Sequence, residues 1–451
     1  MKKTLLSILV FIGFTGFVTA QNVTITDVAF KSYLLNNSEI NTNGDDEIQL
    51  SEAQSFTGTI DCSNMGITSL TGIEAFTALT ALNCSYNQLT TIDISNNTAL
   101  EDLMCYANQL TSLDVSNNIN LWHLNCLNNQ INSLDVSNNI ALTDLNVSQN
   151  QLTSINIGNN INLLHFNCSN NQLTNIDVSN NTALLSIGCS GNLLTSLDIT
   201  NNTALIQLSC YNNQLTTINT NYNLELEKLY CYANQITSLD LHNNTALTEL
   251  NCNENQLVNL DFSNNPELLL LYCNNNQLTN INISNSTELT TLDCAYNQLT
   301  SLDLTDHSQL IFLNCSNNQL NYLNLKNGNN INLTTFYAFD NPDLTCIQVD
   351  DVSYSTENWT NIDPWAAFSE YCAMSVEEFG DNSFSVYPNP FAEEIFFNTT
   401  VKQVTIYDLK GSLLYESANT ETVLLSHLEA GIYLLKAKTD NGSFTKKIVK
   451  Q

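Results

Sequence analysis

The chain has 451 residues, of which 43% are hydrophobic and 12% charged, a composition typical of globular rather than disordered proteins. Its 44 acidic residues outnumber 12 basic ones, all lysine, and residues 21–382 hold three lysines against 37 acidic residues, a net charge of −34. This charge argues against nucleic acid as a partner, because the phosphates would be repelled. It is consistent either with simple solubility or with binding of cations or of a basic partner.

Residues 1–20 have the pattern of a secretory signal peptide. Lys2 and Lys3 precede an apolar run over residues 5–18, and Ala20 ends a small-residue cleavage site. The apolar run is short for a bilayer span, so we expect removal of this segment rather than an uncleaved membrane anchor.

Residues 21–59 are predicted to form a short helical N-terminal cap with an EF-hand-like loop. Residues 41–52 resemble the twelve-residue calcium loop of EF-hand and dockerin-like segments. Asn41 replaces the usual leading aspartate and Asp46 stands in place of the turn glycine, so a capping turn is the alternative to a structural calcium site. The expected calcium ligands are Asn41, Asn43, Asp45, Glu47 and Glu52.

A 21-residue period runs through residues 60–345. One unit, from Leu79 to Leu89, has the spacing LxxLxLxxNxL with a cysteine, Cys84, at the third apolar place. An asparagine follows three residues later, and Val147 is the one exception to the cysteine column from 84 to 315. This pattern resembles the leucine-rich repeat. The resemblance implies a mainly β solenoid with a concave parallel β-sheet and a second extended segment on the opposite face.

The repeated cysteines and asparagines are predicted to be structural. In-register residues on adjacent parallel strands lie about 4.8 Å apart with parallel Cβ directions, whereas a disulfide needs converging Cβ atoms about 3.8 Å apart. We therefore expect free, buried cysteines and asparagine amides that satisfy turn backbone groups. Cys346 and Cys372 lie in a predicted C-terminal cap at 346–375, and export would allow them to form a disulfide.

Residues 376–451 are predicted to be a separate small antiparallel β-sandwich, with a turn at Lys410-Gly411. The segment resembles the type A C-terminal sorting domain of the type IX secretion system of Gram-negative Bacteroidota. The resemblance implies export to the outer cell surface or the medium, contact with the secretion machinery, and removal of the tail. The matching residues are Tyr387, Pro388, Asn389, Pro390, Gly431, Tyr433, Lys446 and Lys447.

Tyrosines on the predicted concave face are candidate partner-binding residues. Tyr211, Tyr230 and Tyr232 fall on two adjacent repeats, Tyr272 lies two repeats further on, and Tyr106 lies nearer the N-terminus. Exposed tyrosines are enriched in the hot spots of interfaces and can stack on sugar rings. The alternative is a column of tyrosines that pack on one another without a partner.

A second candidate on this face is the series His123, Asp144 and His165, spaced by 21 residues. Stacking would place the two imidazoles about 9–10 Å apart with a carboxylate between them. This arrangement predicts either a metal or pH-sensing site or a solvated polar column. On the opposite face, a column of aspartates is expected to be solvated, with weak cation binding as the alternative.

These patterns predict a secreted, surface-displayed repeat protein that binds another protein on the host, on a neighbouring cell or on the producing cell. The alternatives are a glycan-binding surface protein and a structural or adhesive coat protein without a specific ligand. No GxSxG sequence, metal motif or nucleophile–base grouping occurs, so we predict no catalytic residue and no enzyme. No cofactor is expected apart from the structural calcium.

Overall fold

The structure is a computed structural model that describes residues 21–372, 384–408, 412–439 and 442–451. It has two compact units, Met1–Cys372 and Ala373–Gln451. The expected signal peptide, the expected domain boundary near residue 376 and the Lys410-Gly411 turn lie outside the described residues. Within the described ranges, no helix has the length and apolar character needed to cross a bilayer.

The described residues of the first unit form three short α-helices and twenty three-residue strands. The helices are α1 (Val28–Asn36), α2 (Leu50–Ser55) and α3 (Val352–Asn358). The strands are β1 (Thr59–Asp61), β2 (Ala81–Asn83), β3 (Asp102–Met104), β4 (His123–Asn125), β5 (Asp144–Asn146), β6 (His165–Asn167), β7 (Ser186–Gly188), β8 (Gln207–Ser209), β9 (Lys228–Tyr230), β10 (Glu249–Asn251), β11 (Asn259–Asp261), β12 (Leu270–Tyr272), β13 (Asn280–Asn282), β14 (Thr291–Asp293), β15 (Ser301–Asp303), β16 (Phe312–Asn314), β17 (Tyr322–Asn324), β18 (Thr335–Tyr337), β19 (Cys346–Gln348) and β20 (Ala367–Ser369).

One long parallel sheet forms the concave face, as the repeat pattern predicts. Its strand order is β1 to β10, then β12, β14, β16 and β18, and each strand pairs in register with the next. The central residue of each strand is buried, and the two flanking residues lie on the open face. Each turn of the solenoid is called a rung below and is named by its concave strand.

The second extended segment of each rung forms hydrogen-bonded strands only in the later part of the array. There it gives a two-stranded sheet, β11-β13, and a four-stranded sheet, β15-β17-β19-β20. The sequence did not indicate which segment would form the better sheet. The structure shows that the better sheet is formed by the first segment of each rung, the concave strand, because its pairing continues in register from rung to rung.

An inner ladder of asparagines bridges successive rungs where each concave strand ends. Asn129 is representative: its Nδ2 donates to the carbonyls of Cys105 and Cys126, each at 3.1 Å, and its Oδ1 accepts the backbone N–H of Leu110 at 2.9 Å. The prediction that these amides satisfy turn backbone groups is therefore confirmed. The same pattern recurs at Asn87, Asn108, Asn150, Asn171, Asn192, Asn213, Asn234, Asn255, Asn276, Asn297 and Asn318.

A second asparagine ladder, which the sequence analysis did not identify, lies in the opposite half of each rung. Asn139, for example, is fully buried, and its Nδ2 donates to the carbonyls of Val115 at 3.0 Å and Asn118 at 2.8 Å. Ser286 and His307 take over this place in later rungs, and each contacts one carbonyl of the preceding rung, that of Asn265 at 2.9 Å and that of Ile283 at 3.1 Å, respectively. The position therefore requires a hydrogen-bond donor rather than an asparagine as such.

The cysteine column is free and buried. Burial raises the pKa of these thiols, so they stay protonated. Cys346 and Cys372, in contrast, form a disulfide with Cα atoms 5.8 Å apart. The free members are Cys62, Cys84, Cys105, Cys126, Cys168, Cys189, Cys210, Cys231, Cys252, Cys273, Cys294 and Cys315.

The second unit is an antiparallel pair of sheets with its own core. One sheet has the order β21-β22-β25 and the other β24-β23-β26-β27. Buried side chains such as Ile395, Val404 and Leu435 form the core. The strands are β21 (Val386–Tyr387), β22 (Glu394–Val401), β23 (Gln403–Tyr407), β24 (Leu413–Ser417), β25 (Thr420–Leu424), β26 (Gly431–Thr439) and β27 (Gly442–Lys450).

We expect Asn129→Ala to lower the free energy of unfolding by about 1–3 kcal/mol, because two buried carbonyls and one buried N–H would lose their partner. Asn132→Ala, at an exposed position of the same rung, is the matched control and should leave the midpoint of thermal unfolding almost unchanged. Equal stability of the two variants would contradict a structural role for the inner ladder.

Native protein should react very slowly with a thiol reagent, whereas denatured protein should show twelve alkylated thiols by intact mass. Val147→Cys completes the column and should raise that number to thirteen with little change in stability, because the site already holds a small, fully buried side chain. Rapid labelling of the native protein would show that the column is accessible.

Concave tyrosine patch and adjoining groove

Two of the predicted tyrosines form a stacked pair on the concave face. Tyr211 and Tyr232 occupy equivalent places on the β8 and β9 rungs, and their rings are nearly parallel, with centroids 4.3 Å apart and an interplanar angle of 6°. Both side chains are half-buried. Burial and the neighbouring Tyr211 raise the pKa of Tyr232. The in-register spacing of the solenoid thus builds a rigid aromatic surface from two residues 21 positions apart.

Tyr230 belongs to an adjoining polar cluster. Its hydroxyl donates to Glu249 Oε2, and the other carboxylate oxygen of Glu249 lies 2.7 Å from Lys228 Nζ. Burial and the Glu249 carboxylate raise the pKa of Tyr230 to about 12, so its hydroxyl remains a donor. Burial acts to raise the pKa of Glu249, but the bonds from Lys228 and Tyr230 outweigh it and lower that pKa. Lys228 is the only lysine on this face between β1 and β18, and its charge is neutralised by the Glu249 carboxylate.

The other two predicted tyrosines lie apart from this pair. Tyr272 is separated from Tyr230 by Asn251 on the intervening strand. Tyr106 packs edge-on against Tyr86, with ring centroids 5.1 Å apart, six rungs before Tyr232. The candidate patch therefore consists of Tyr211, Tyr230 and Tyr232, and Tyr106 belongs to a separate aromatic pair nearer the N-terminus.

A groove of about 410 Å³ runs along the concave face beside Tyr211 and extends back to the β4 rung. At the β7 rung its lining includes the small residues Ser186, Gly188 and Ser190. The other concave strands carry a larger side chain than Gly188 at its position. This run of small residues departs from the repeat and is visible in the sequence when the repeats are written beneath one another.

Asparagine side chains of the preceding rung lean over two glycines of the β7 rung. A Cβ on Gly188 would lie 2.8 Å from Asn167 Oδ1, and a Cβ on Gly191 would collide with Asn170 Oδ1. Gly191 also has a φ of +62°, in line with the left-handed conformation found at this place in the other rungs. Ser190 lines the groove, and its hydroxyl is buried and has no hydrogen-bond partner among the described residues.

His123, Asp144 and His165 line the same groove but do not converge on one another. His123 Nδ1 lies 2.7 Å from Asp102 Oδ1, and His165 Nδ1 lies 3.0 Å from the Ser186 hydroxyl. Asp144 instead accepts a hydrogen bond from Thr143 Oγ1 at 2.7 Å. Each of the three side chains thus bonds to a different neighbour, an arrangement compatible with the polar column that is the alternative to a metal or pH-sensing site.

The predicted calcium loop is closed by its own hydrogen bonds. Both oxygens of Glu52 accept backbone N–H groups, from Thr42 at 2.8 Å and from Gln49 at 2.9 Å, and Glu47 pairs with Lys31 at 2.9 Å. Across the described part of the chain, no three His, Cys, Asp or Glu side chains are grouped so that they could hold a metal ion. These contacts are those of the capping turn. The remaining expected ligands, Asn41, Asn43 and Asp45, also bond within the loop.

The aspartates of the opposite face close local turns. Asp93 Oδ1, for instance, accepts the backbone N–H of Ser95 at 3.1 Å and its hydroxyl at 2.7 Å, which lowers the pKa of Asp93. Asp114, Asp135, Asp177 and Asp198 show the same lowered pKa. A turn-forming role therefore accounts for this column without a bound cation.

Residues of the predicted sorting motif come together in the second unit. Asn389 Nδ2 donates to the carbonyl of Lys447 at 2.9 Å, and its Oδ1 accepts the N–H of Val449 at 2.8 Å. Gly431 and Tyr433 lie on β26, which pairs with the β27 strand that carries Lys446 and Lys447. The Tyr387–Pro390 segment is thus attached to the last strand of the chain.

Comparisons with known proteins agree with both units. The family described as the secretion system C-terminal sorting domain matches residues 385–451. Internalin J of Listeria monocytogenes is 52% identical over 50 residues, which are 11% of this chain and 6% of that protein. The solved functional domain of InlJ from the same species, described as including a cysteine ladder, is 27% identical with a TM-score of 0.65, over 96% of this chain and 100% of that one.

More distant structures share the fold alone. An internalin, InlF, of L. monocytogenes is 23% identical with a TM-score of 0.57, over 77% of this chain and 96% of that one. A leucine-rich repeat protein of Leptospira interrogans is 20% identical with a TM-score of 0.56, over 71% of this chain and 97% of that one. The chain is therefore a leucine-rich repeat protein that carries a C-terminal sorting domain of the type IX secretion system and is secreted or displayed at the cell surface.

Proposed function

We propose that this protein binds a protein partner at the cell surface through the concave patch formed by Tyr211, Tyr230 and Tyr232. The stacked pair of Tyr211 and Tyr232 is the observation that carries the proposal. Tyrosines contribute large contact areas at a low cost in conformational entropy, and rings already held by stacking lose little freedom on binding. The partner lies on a host, on a neighbouring cell or on the producing cell.

The surroundings of the patch support a specific rather than a general adhesive surface. Many concave positions carry small polar side chains, whereas the aromatic pair, the Tyr230–Glu249–Lys228 cluster and the groove lined by small residues of the β7 rung lie on neighbouring rungs. A coat protein that only spaces the cell surface would not require such a local departure from the repeat. A glycan is the second candidate, because stacked aromatic rings and neutral amides also suit a sugar.

Binding should weaken about tenfold or more in the double variant Tyr211→Ala/Tyr232→Ala, because paired aromatic residues dominate interface energies. The measurement is the dissociation constant, by biolayer interferometry, of a surface protein first captured on the full chain and then purified. Glycans are tested separately on an array, and binding there without a protein partner would favour the second candidate.

The matched control is Tyr86→Ala/Tyr106→Ala, which removes the other tyrosine pair of the same face. Tyr86 has a positive φ, but Ala107 and Ala233 adopt the same conformation at the equivalent place, so alanine is accommodated there. The control should keep the wild-type affinity. If the control lost binding and Tyr211→Ala/Tyr232→Ala retained it, the interface would lie around Tyr86 and Tyr106, nearer the N-terminus, and the proposed patch would be wrong.

A further inference from the structure

We propose that His307 makes the joint between the β12 and β14 rungs sensitive to acid, because its buried imidazole stabilises this joint only while the ring is neutral. The proposal goes beyond the proposed function and does not depend on a binding partner. Three observations carry it: the contacts of His307 along the array, the surroundings of its second ring nitrogen, and the position of the nearby charges.

His307 connects three successive rungs. Its side chain is buried in the rung that begins with β14, with 2% of the residue exposed, and Nε2 lies 3.1 Å from the carbonyl of Ile283 in the preceding rung. A backbone carbonyl can only accept, so Nε2 carries the proton and Nδ1 is bare in the neutral ring. The carbonyl of His307 in turn accepts Asn327 Nδ2 of the following rung at 2.9 Å. A movement of His307 would therefore disturb both neighbouring rungs.

Nδ1 of His307 lies where the array offers no hydrogen-bond partner. The atom is buried and unpaired among the described residues. In other rungs the equivalent atom is an asparagine Oδ1, and Asn244 Oδ1 accepts a hydrogen bond from Thr220 Oγ1 at 2.8 Å. Thr220 lies 24 residues before Asn244, and the equivalent residue before His307 is the buried, apolar Ile283. A proton on Nδ1 would thus be buried without an acceptor, which is costly for a charged ring.

The same surroundings recur along the second asparagine ladder. Where an apolar residue replaces Thr220, the amide oxygen is buried and has no partner among the described residues, as at Asn97, Asn118, Asn139, Asn160, Asn181, Asn202, Asn223 and Asn265. An uncharged amide tolerates this place, since its N–H groups still pair with carbonyls. A protonated imidazole does not, because its charge has to be balanced.

The charges near His307 lie outside the core. Asp303 and Asp306 are the carboxylates that favour its protonated form, but both are exposed on its own rung, where water and salt screen them. On the adjoining rungs, Glu288 is exposed and Lys326 contacts an aromatic ring of the C-terminal cap. Burial has the largest effect and lowers the pKa of His307 below its usual value of 6.5, against the hydrogen bond to the carbonyl and the two aspartates.

Acid should therefore weaken this joint. In the opened chain His307 takes up its proton at about pH 6.5, whereas in the folded array it does so only at lower pH. Between these two pH values the opened form holds one proton more, so its population relative to the folded form rises by up to about tenfold for each pH unit of acidification. Above this window the imidazole is neutral in both forms. Asparagine and serine, which occupy this place in other rungs, do not titrate there.

The test follows hydrogen exchange in the full chain by mass spectrometry, in peptides that cover β15 to β18, at about pH 7.5 and about pH 5.5. His307→Asn introduces the usual residue of the ladder. His242→Asn, at an exposed position of the β9 rung, is the matched control. Variants are compared with the wild type at one pH, so the pH dependence of the intrinsic exchange rate cancels.

Relative to its ratio at the higher pH, we expect exchange at the lower pH to be about fivefold slower in His307→Asn than in the wild type. His242→Asn should behave as the wild type does. If the asparagine variant is poorly folded at the higher pH, His307→Gln, which also presents a side-chain N–H and does not titrate, gives the same comparison.

Two results would overturn the proposal. One is an equal response of the wild type and the His307 variants to the lower pH, which would show that protonation of this residue does not loosen the array. The other is a loss of protection that spreads evenly over all rungs in all three proteins, which would assign the acid response to the carboxylates of the whole chain.

Discussion

The array depends on buried asparagine amides that join each rung to the one before it. A three-residue strand makes too few hydrogen bonds to define a turn by itself, and the chain must leave the sheet with its carbonyls still buried. Each inner-ladder amide, as at Asn129, satisfies carbonyls of two rungs and an N–H of the earlier one. Unpaired, these buried groups would each cost about 1–3 kcal/mol, so the amide holds successive strands in one register.

This register determines how the concave face can acquire specificity. Side chains at equivalent places stack at the strand spacing, so two tyrosines 21 residues apart become one aromatic surface, and a rung of small residues lines the groove beside it. A uniform array would present only repeated polar columns. Recognition is therefore expected where a few residues depart from the repeat, and the scaffold supplies the rigidity that those residues need.

The sequence predicted the parts of the structure that the 21-residue period itself carries. The concave sheet, the free cysteines and the inner asparagine ladder follow from spacing, and the tail follows from its motif residues. Side-chain rotamers cannot be predicted from the spacing, because each residue on a strand has an equivalent residue on the strand before it and on the strand after it, and its side chain can turn toward either. His123 therefore turned to Asp102 rather than to Asp144. Likewise, spacing did not indicate that both oxygens of Glu52 accept backbone N–H groups, from Thr42 and from Gln49.

The donor-only character of the second ladder has a consequence for how such an array can change over generations. At this ladder each rung offers backbone carbonyls to the following rung. The following rung needs only a side-chain N–H or O–H to pair with them, which asparagine, serine and histidine all provide. Any rung can consequently follow any other. Unequal recombination between near-identical coding units would lengthen or shorten the solenoid by whole turns without a new interface, whereas a one-residue slip would move every later apolar side chain to the wrong face.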